Sequence, residues 1–525
     1  MRSQAGALFV THIVLLISLD WSGQLRQRLG RSVEPTEGGI VESWVTEEFA
    51  SLDLGDARLN KRCRRIMDQL SEKPALSIPA ACGGWAETHA AYRFFNHESV
   101  TSKEILKPHF EATVCRAAEH PVVLVPQDTT TLNLTRPRER MTGVGPLSDE
   151  SNHGIFDHVA LAVTPSGVPL GVVYEEMWAR DWEIFYANKK LTRSEKAVLK
   201  RSIPIEDKES GRWLRGYRQG SELQARCPGT QVIVISDSEA DILDCFAEAQ
   251  VLSAAGRPAA DWITRAFQDR RLARDSAAAK LWSACSEASV LGEIEVQVHH
   301  NQPSSGDKTK RNQARTARQT RVTIQATTVT LAGQPRGDDD PVPDVTVNAV
   351  LVREVSPPAG EKPLEWLLLT SLPIDTVEAA ALVVTYYSRR WSIETYFHIL
   401  KSGCGIEELQ FETLDRYKRC LAVYMVVAWR VYFVTMLGRE CPELPCEAVF
   451  TKEEWQACYA IHRKTPMTIP TLKEMVSLVG QLGGYLARKG DGPPGPQTIW
   501  IGLQRLRDFA LAWETFGPGQ AKPGG

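Results

Sequence analysis

Two short runs, Pro121-Val-Val-Leu-Val-Pro126 and Gln231-Val-Ile-Val-Ile-Ser236, constrain the fold most. Each is continuously apolar, of strand length and without polar alternation, so each predicts a β-strand covered on both faces. Both end in polar residues that include an aspartate: Gln127-Asp128-Thr129-Thr130 after the first, Asp237-Ser238-Glu239-Ala240-Asp241 after the second. Strand ends of an α/β sheet hold side chains rigidly at the rim, where a cleft can form. Taken singly, a strand-end aspartate is more simply read as a turn or helix cap.

The surrounding pattern places these strands in a larger α/β chain. Residues 1–40 differ in character from the rest and form a leader of doubtful origin, ending in Glu34-Pro-Thr-Glu-Gly-Gly39. Its apolar run from Ala5 to Leu19 resembles the core of a signal peptide but is short for a membrane span. The preferred reading is a non-native leader or a start placed too far upstream, with a targeting or anchoring segment as the alternative. Helical patterns dominate from Ser43 to Ala118: Trp44–Phe49, Ala57–Leu70 and Trp85–Asn96. A hairpin is expected from His158–Thr164, a turn at Pro165-Ser-Gly167, and Pro169–Tyr174. From about 250 to 375 short β segments recur, at Gly292–His299, Val322–Leu331 and Val345–Glu354. The basic stretch Lys308–Arg321 reads as a loop. Leu421–Leu437 reads as a buried helix interrupted by Arg430.

A third feature is Tyr387-Ser-Arg-Arg390-Trp-Ser-Ile-Glu394-Thr-Tyr-Phe-His-Ile-Leu-Lys401. On one continuous helix, at about 100° per residue, Tyr387, Arg390, Glu394 and Lys401 fall within roughly 60° of one another. That face would carry a phenol, a guanidinium, a carboxylate and an ammonium. A solvated stripe of salt bridges is the plain reading; a carboxylate for a hard metal flanked by phosphate-binding cations is the functional one. Asp128 and Asp237 favour the second. Three converging carboxylates raise one another's pKa, and divalent cations remove that cost. Glu239 and Asp241 are rival carboxylates, read as residues at a helix N-terminus.

Bulk properties exclude little. With 61 Lys and Arg against 64 Asp and Glu, the formal net charge is −3, so no general basic coat exists. A locally basic groove remains compatible with that sum. Eleven dispersed cysteines without a CxxC pair argue against zinc and for reduced thiols in a cytosolic protein.

The chain resembles the DDE transposases of the insertion-sequence-four family, transposon-five-like, from about Trp44 to Trp513. Four stretches carry the likeness: Leu54-Gly-Asp-Ala-Arg58 with Ala91-Tyr-Arg-Phe94; Gln127-Asp128-Thr-Thr130; Asp237-Ser-Glu-Ala-Asp-Ile242; and the signature at Tyr387, Arg390, Glu394 and Lys401. Ser238 departs from it, standing where the best-known member has a basic residue. The resemblance implies an α/β RNase H-like catalytic core interrupted by a mainly β insertion, with a helical N-terminal DNA-binding domain and a helical C-terminal domain. The implied boundaries are 41–118 for the DNA-binding domain, 119–250 and 376–438 for the core, 251–375 for the insertion and 439–525 for dimerisation. It implies Asp128, Asp237 and Glu394 as ligands of two Mg²⁺ (or Mn²⁺) ions. Tyr387, Arg390 and Lys401 would grip phosphates at the scissile bond, Trp366 would stack on a flipped base, and Arg265 would contact the DNA end. Arg58, Lys61 and Arg62, which share a helix face, would contact DNA from the N-terminal domain.

The expected function is therefore cut-and-paste transposition with metal-dependent cleavage, hairpin formation and strand transfer. The expected partners are double-stranded DNA at transposon ends, target DNA and a second copy of the chain. A cytoplasmic, nucleoid-associated location is expected, with no membrane. The competing readings are a catalytically silent, transposase-derived DNA-binding regulator and a metal-dependent nuclease without strand transfer.

Overall fold

The computed structural model describes residues 44–136, 141–274, 276, 278–298, 316–336 and 339–518. The leader and the basic residues Lys308, Lys310, Arg311 and Arg315 lie outside them, whereas Arg318 and Arg321 are described on a strand. Two compact units divide the described chain: 120–128 with 188–391, and 44–119 with 129–187 and 392–518. The strands among the described residues are, in chain order, β1 Val122–Asn133, β2 Gly145–Pro146, β3 His153–Val163, β4 Pro169–Trp178, β5 Gln231–Ser236, β6 Asp261–Arg265, β7 Val290–Val298, β8 Arg318–Leu331, β9 Gln334–Arg336, β10 Asp339–Val342, β11 Val345–Glu354 and β12 Glu365–Thr370.

In the first unit the strand order is β1-β5-β6-β12-β11-β8-β7. The pairs β1/β5 and β5/β6 are parallel, and the rest of that series is antiparallel, so the sheet is mixed. The two apolar runs are indeed two of its three parallel strands, and the β segments of 251–375 continue the same sheet. Helix Gly211–Arg226 covers β5, burying Trp213, Leu214 and Tyr217. Its approach is close: a Cβ on Gly220 would lie 2.3 Å from a methyl of Val234, so glycine is required there.

The first apolar run does not stop before Gln127; β1 extends to Asn133, and Asp128 lies inside it, beyond the last pair with β5, Pro126↔Ile235. The β-branched Thr129, Thr130 and Thr131 favour continued extension. Asp237 does follow directly on the end of β5.

The second unit contains the expected hairpin, β3 against β4, with Gly167 in the turn at φ 102°. Its central element is the helix Leu414–Glu440, capped by the Thr413 side chain and packed on helices Ser102–Ala117 and Leu472–Leu482. By length and apolarity this helix could cross a bilayer, but 83% of its most apolar window is buried inside the protein. Arg430 does not interrupt it. The guanidinium lies over the rings of Trp44 and Phe433 and donates to the Val449 carbonyl, so the charge is accommodated without breaking the helix.

Beside this helix Glu48 is buried and bridges His109 and Arg116, with Arg116 Nη1 2.7 Å from its carboxylate. His109 Nε2 accepts from the Val172 N–H at 2.9 Å, which leaves Nδ1–H to donate to Glu48. Burial pushes the Glu48 carboxyl up, yet His109 and Arg116 outweigh burial and hold it at about 2 instead of 4.5. A depressed carboxylate contributes stability above its ordinary pKa and loses it as pH falls through the folded value. Glu48→Gln should therefore cost about 3 kcal/mol at pH 7, since it strands the buried His109 and the half-buried Arg116. Thermal unfolding at pH 7, with the deficit shrinking between pH 4.5 and about 2, checks this.

Candidate active site

Strand register assembles the site from the backbone up. Continuing the β1/β5 pairing two residues past Pro126↔Ile235 sets Asp128 beside Asp237. Continuing β5/β6 one residue past Ser236↔Thr264 sets Asp237 beside Arg265. Arg265 pairs with Leu368 of β12, and Trp366 lies two residues along on the same face. The first unit thus lines up Asp128, Asp237 and Arg265 at one end of its parallel strands, with Trp366 on the neighbouring strand.

The segment after β12 contributes Tyr387 and Arg390 to that unit. It is not one continuous helix: Val377–Ser388 ends, Arg389 and Arg390 form a turn, and a new helix runs Trp391–His398 into a π-helical turn, Ile399–Gly403. The four signature side chains therefore sit on successive pieces, not on one regular face. Arg390 Nη1 is 3.2 Å from the Asp128 carboxylate. Tyr387 is buried with its ring edge-on to Trp366, centroids 5.3 Å apart. Burial pushes its phenol up, against the pull of the Arg265 and Arg390 cations.

Glu394 and Lys401 fall in the second unit. Glu394 is half-buried in the first turn of Trp391–His398. Lys401 donates from Nζ to the Thr131 carbonyl at 2.7 Å and lies 3.4 Å from Glu407.

The turn after Asp237 is held by three arginines from different segments. Asp237 Oδ1 accepts the Glu239 N–H at 2.7 Å, capping the short 3-10 turn Ser238–Ala240. Arg265 Nη2 donates to Ser238 Oγ at 3.2 Å, Arg212 Nη2 to Glu239 at 2.8 Å, and Arg270 Nε to Asp241 at 2.8 Å. Asp241 is buried and also accepts the N–H groups of Phe267 and Gln268, at 2.7 Å each. That makes it a structural anchor. Arg212 escapes sequence reasoning, because its partner lies 27 residues away and no periodicity links them. Burial lowers its pKa, opposed by the charges of Glu239, Glu209, Asp128 and Asp237.

In the N-terminal helices Arg58 is 92% exposed and paired with Asp56, Lys61 is exposed, and Arg62 meets Glu87 at 2.6 Å. Trp85, which the sequence does not single out, is 80% exposed and stacked on His89 at 5.0 Å.

Three family models match the chain: Transposase DNA-binding over residues 41–100, Transposase DDE domain over 244–427, and Transposase Tn5 dimerisation domain over 426–514. The chain belongs to the Tn5-like DDE transposases. The DDE match includes Arg265, Trp366, Tyr387, Arg390, Glu394 and Lys401, and begins after Asp128 and Asp237. Among solved structures, the chain is similar to one titled "Cryo-EM structure of piggyBac transposase synaptic complex with hairpin DNA (SNHP)", with a TM-score of 0.34 and 8% identity over 91% of this chain and 79% of that one. A likeness that distant assigns no residue roles.

This transposase thus combines DNA-binding, DDE and dimerisation regions. Within the dimerisation match, Phe509 and Leu511 of the last helix, Pro496–Phe516, are exposed. DDE transposase domains generally use divalent metals. Among the described residues no group of three His, Cys, Asp or Glu side chains is arranged to hold one. The donor chemistry nevertheless fits: Asp128, within β1, and Asp237, directly after the neighbouring β5, offer carboxylate oxygens suited to Mg²⁺.

Proposed function

We propose that this transposase moves its element by cut-and-paste, with Asp128, Asp237 and Glu394 as its metal-binding triad. The observation that supports the reading is the parallel register of β1 and β5, whose last pair, Pro126↔Ile235, stands two residues before each aspartate, with Arg390 3.2 Å from the Asp128 carboxylate. The triad would hold two Mg²⁺ or Mn²⁺ ions, which when bound favour in-line displacement at phosphorus. Each step is the same exchange. Water cuts one strand at each transposon end, the new 3′ hydroxyl attacks the opposite strand to form a hairpin, and a second water opens it. The freed 3′ hydroxyls then attack target DNA, and no covalent protein intermediate forms.

Arg390 and Lys401, with the Tyr387 phenol, hold the phosphates flanking the scissile bond, so the chain supplies position and charge. Arg265 grips the same end. Trp366, half-exposed and packed on Tyr387, stacks on the base displaced when the hairpin forms. Arg58, Lys61 and Arg62 contact DNA from an N-terminal domain of residues 41–118. The core, 119–250 with 376–438, is RNase H-like, 251–375 is inserted into it, and 439–525 joins two copies across the paired ends. The protein acts in the cytoplasm on nucleoid DNA.

Purified protein, Mg²⁺ and a DNA fragment carrying the element's terminal repeats test this. Nicked, hairpin and joined products should appear in turn on denaturing gels; nicking without hairpins or joining would leave only a nuclease. Trp366→Ala should keep the first nick and lower hairpin yield about tenfold, the cost of removing one base stack.

A further inference from the structure

We infer that Arg212 is a DNA-phosphate ligand of the active site, held by Glu239 until DNA arrives. The inference rests on the proposal that the DNA backbone docks at the Asp128–Asp237 pair. Arg212 stands in the first turn of Gly211–Arg226, its side chain 12% exposed and its guanidinium over the Trp213 ring at 5.4 Å. Nη1 donates to the Glu209 carbonyl at 2.8 Å, which fixes the fork. Its partner Glu239 gives its own N–H to Asp237 Oδ1 at 2.7 Å, which places the pair at the Asp237 turn.

A phosphate approaching this rim meets the carboxylates of Asp128, Asp237 and Glu239 and needs cations to offset them. Arg390, 3.2 Å from the Asp128 carboxylate, supplies one. Arg212 is held by Glu239, whose side chain is 64% exposed. Water solvates a carboxylate so exposed when it is released, so this pair is weak and its exchange costs little. The phosphate gains a bidentate guanidinium in a partly buried setting, where charge-assisted hydrogen bonds are stronger. The planar fork matters, and an ammonium does not reproduce it.

The salt dependence of duplex binding counts the phosphates a protein neutralises, with a slope of about 0.9 for each. Binding of a fluorescein-labelled terminal-repeat duplex is therefore titrated from low to moderate salt without added metal, alongside thermal melting. Arg212→Gln is expected to weaken binding about tenfold and flatten the slope by about 0.9. Glu239→Gln, which removes the competing anion, is expected to tighten binding about threefold. An unchanged slope in Arg212→Gln while Arg390→Gln flattens it overturns the inference and leaves the docking site standing. Unchanged slopes in both variants overturn the docking site as well. If Arg212→Gln does not fold, Glu239→Gln decides alone: tighter binding supports the exchange, and equal or weaker binding overturns it.

Discussion

Asp237→Asn should leave binding to transposon-end DNA intact while lowering strand cleavage at least about a thousandfold. The asparagine is isosteric, and its carbonyl oxygen still accepts the Glu239 N–H that the aspartate accepts at 2.7 Å. The turn Ser238–Ala240 therefore keeps its cap, and the arginines that hold it keep their partners. What disappears is a negative charge, and with it a hard ligand for a divalent cation. Asp128→Asn and Glu394→Gln should behave alike if the three form one site. Asp241→Asn is the contrast, although only four residues away. Its carboxylate is buried against Arg270 and two backbone N–H groups. Replacing it should cost about 3 kcal/mol of stability through a broken buried pair. Nicking in Mg²⁺ by denaturing gel, DNA binding by mobility shift and melting temperature separate the two outcomes. Nicking by Asp237→Asn within tenfold of the parent would remove that residue from the chemistry.

These two carboxylates show how far the sequence can be read. Asp237 is legible because the run before it, Val232 to Ile235, is purely apolar and the polar residues begin at once. Asp128 is legible as a residue of interest but not as a position. A glutamine and an aspartate look like the end of a strand, while the three threonines after them prolong it. The helix break at Arg389 and Arg390 is hidden for a related reason: nothing in Ser-Arg-Arg-Trp disfavours a helix, and the turn is fixed by tertiary packing. Arg212 cannot be found at all. Its meaning comes from Glu239, Asp128 and Asp237, which only the assembled sheet brings near it.

The stability of the second unit should fall as pH rises from 4.5 through about 7, and Glu175→Gln should remove much of that fall. Asp157 on β3 and Glu175 on β4 lie diagonally on one face of the hairpin, with register pairs Asp157↔Met177 and Val159↔Glu175. Asp157 is wholly buried, and neither carboxyl oxygen has a hydrogen-bond partner. Burial, reinforced by Glu175, drives its pKa well above the ordinary 3.8. Burial likewise raises Glu175 to about 7 from 4.5, against the pull of Lys418 and Lys103 and with Glu176 adding to the rise. Lys418 Nζ donates to the Met177 carbonyl at 3.3 Å, while Tyr396 and Tyr417 also feel the Asp157 charge. The folded state therefore holds its proton more tightly than the unfolded chain. Stability is fully present below pH 4.5 and is lost as pH rises through about 7. For Glu175 the loss above that pH is about 3 kcal/mol, from the size of the shift. Glu175→Gln should thus be near neutral at pH 4.5 and stabilising at pH 8 by that order, with a melting point higher by about 5 °C. Asp157→Asn should act in the same direction, because burial raises that carboxyl as well. Adding both should flatten melting temperature against pH across that range. A slope equal to the parent's in the double variant would mean that these carboxyls are ionised in the folded protein, with Lys418 and Lys103 carrying the balance.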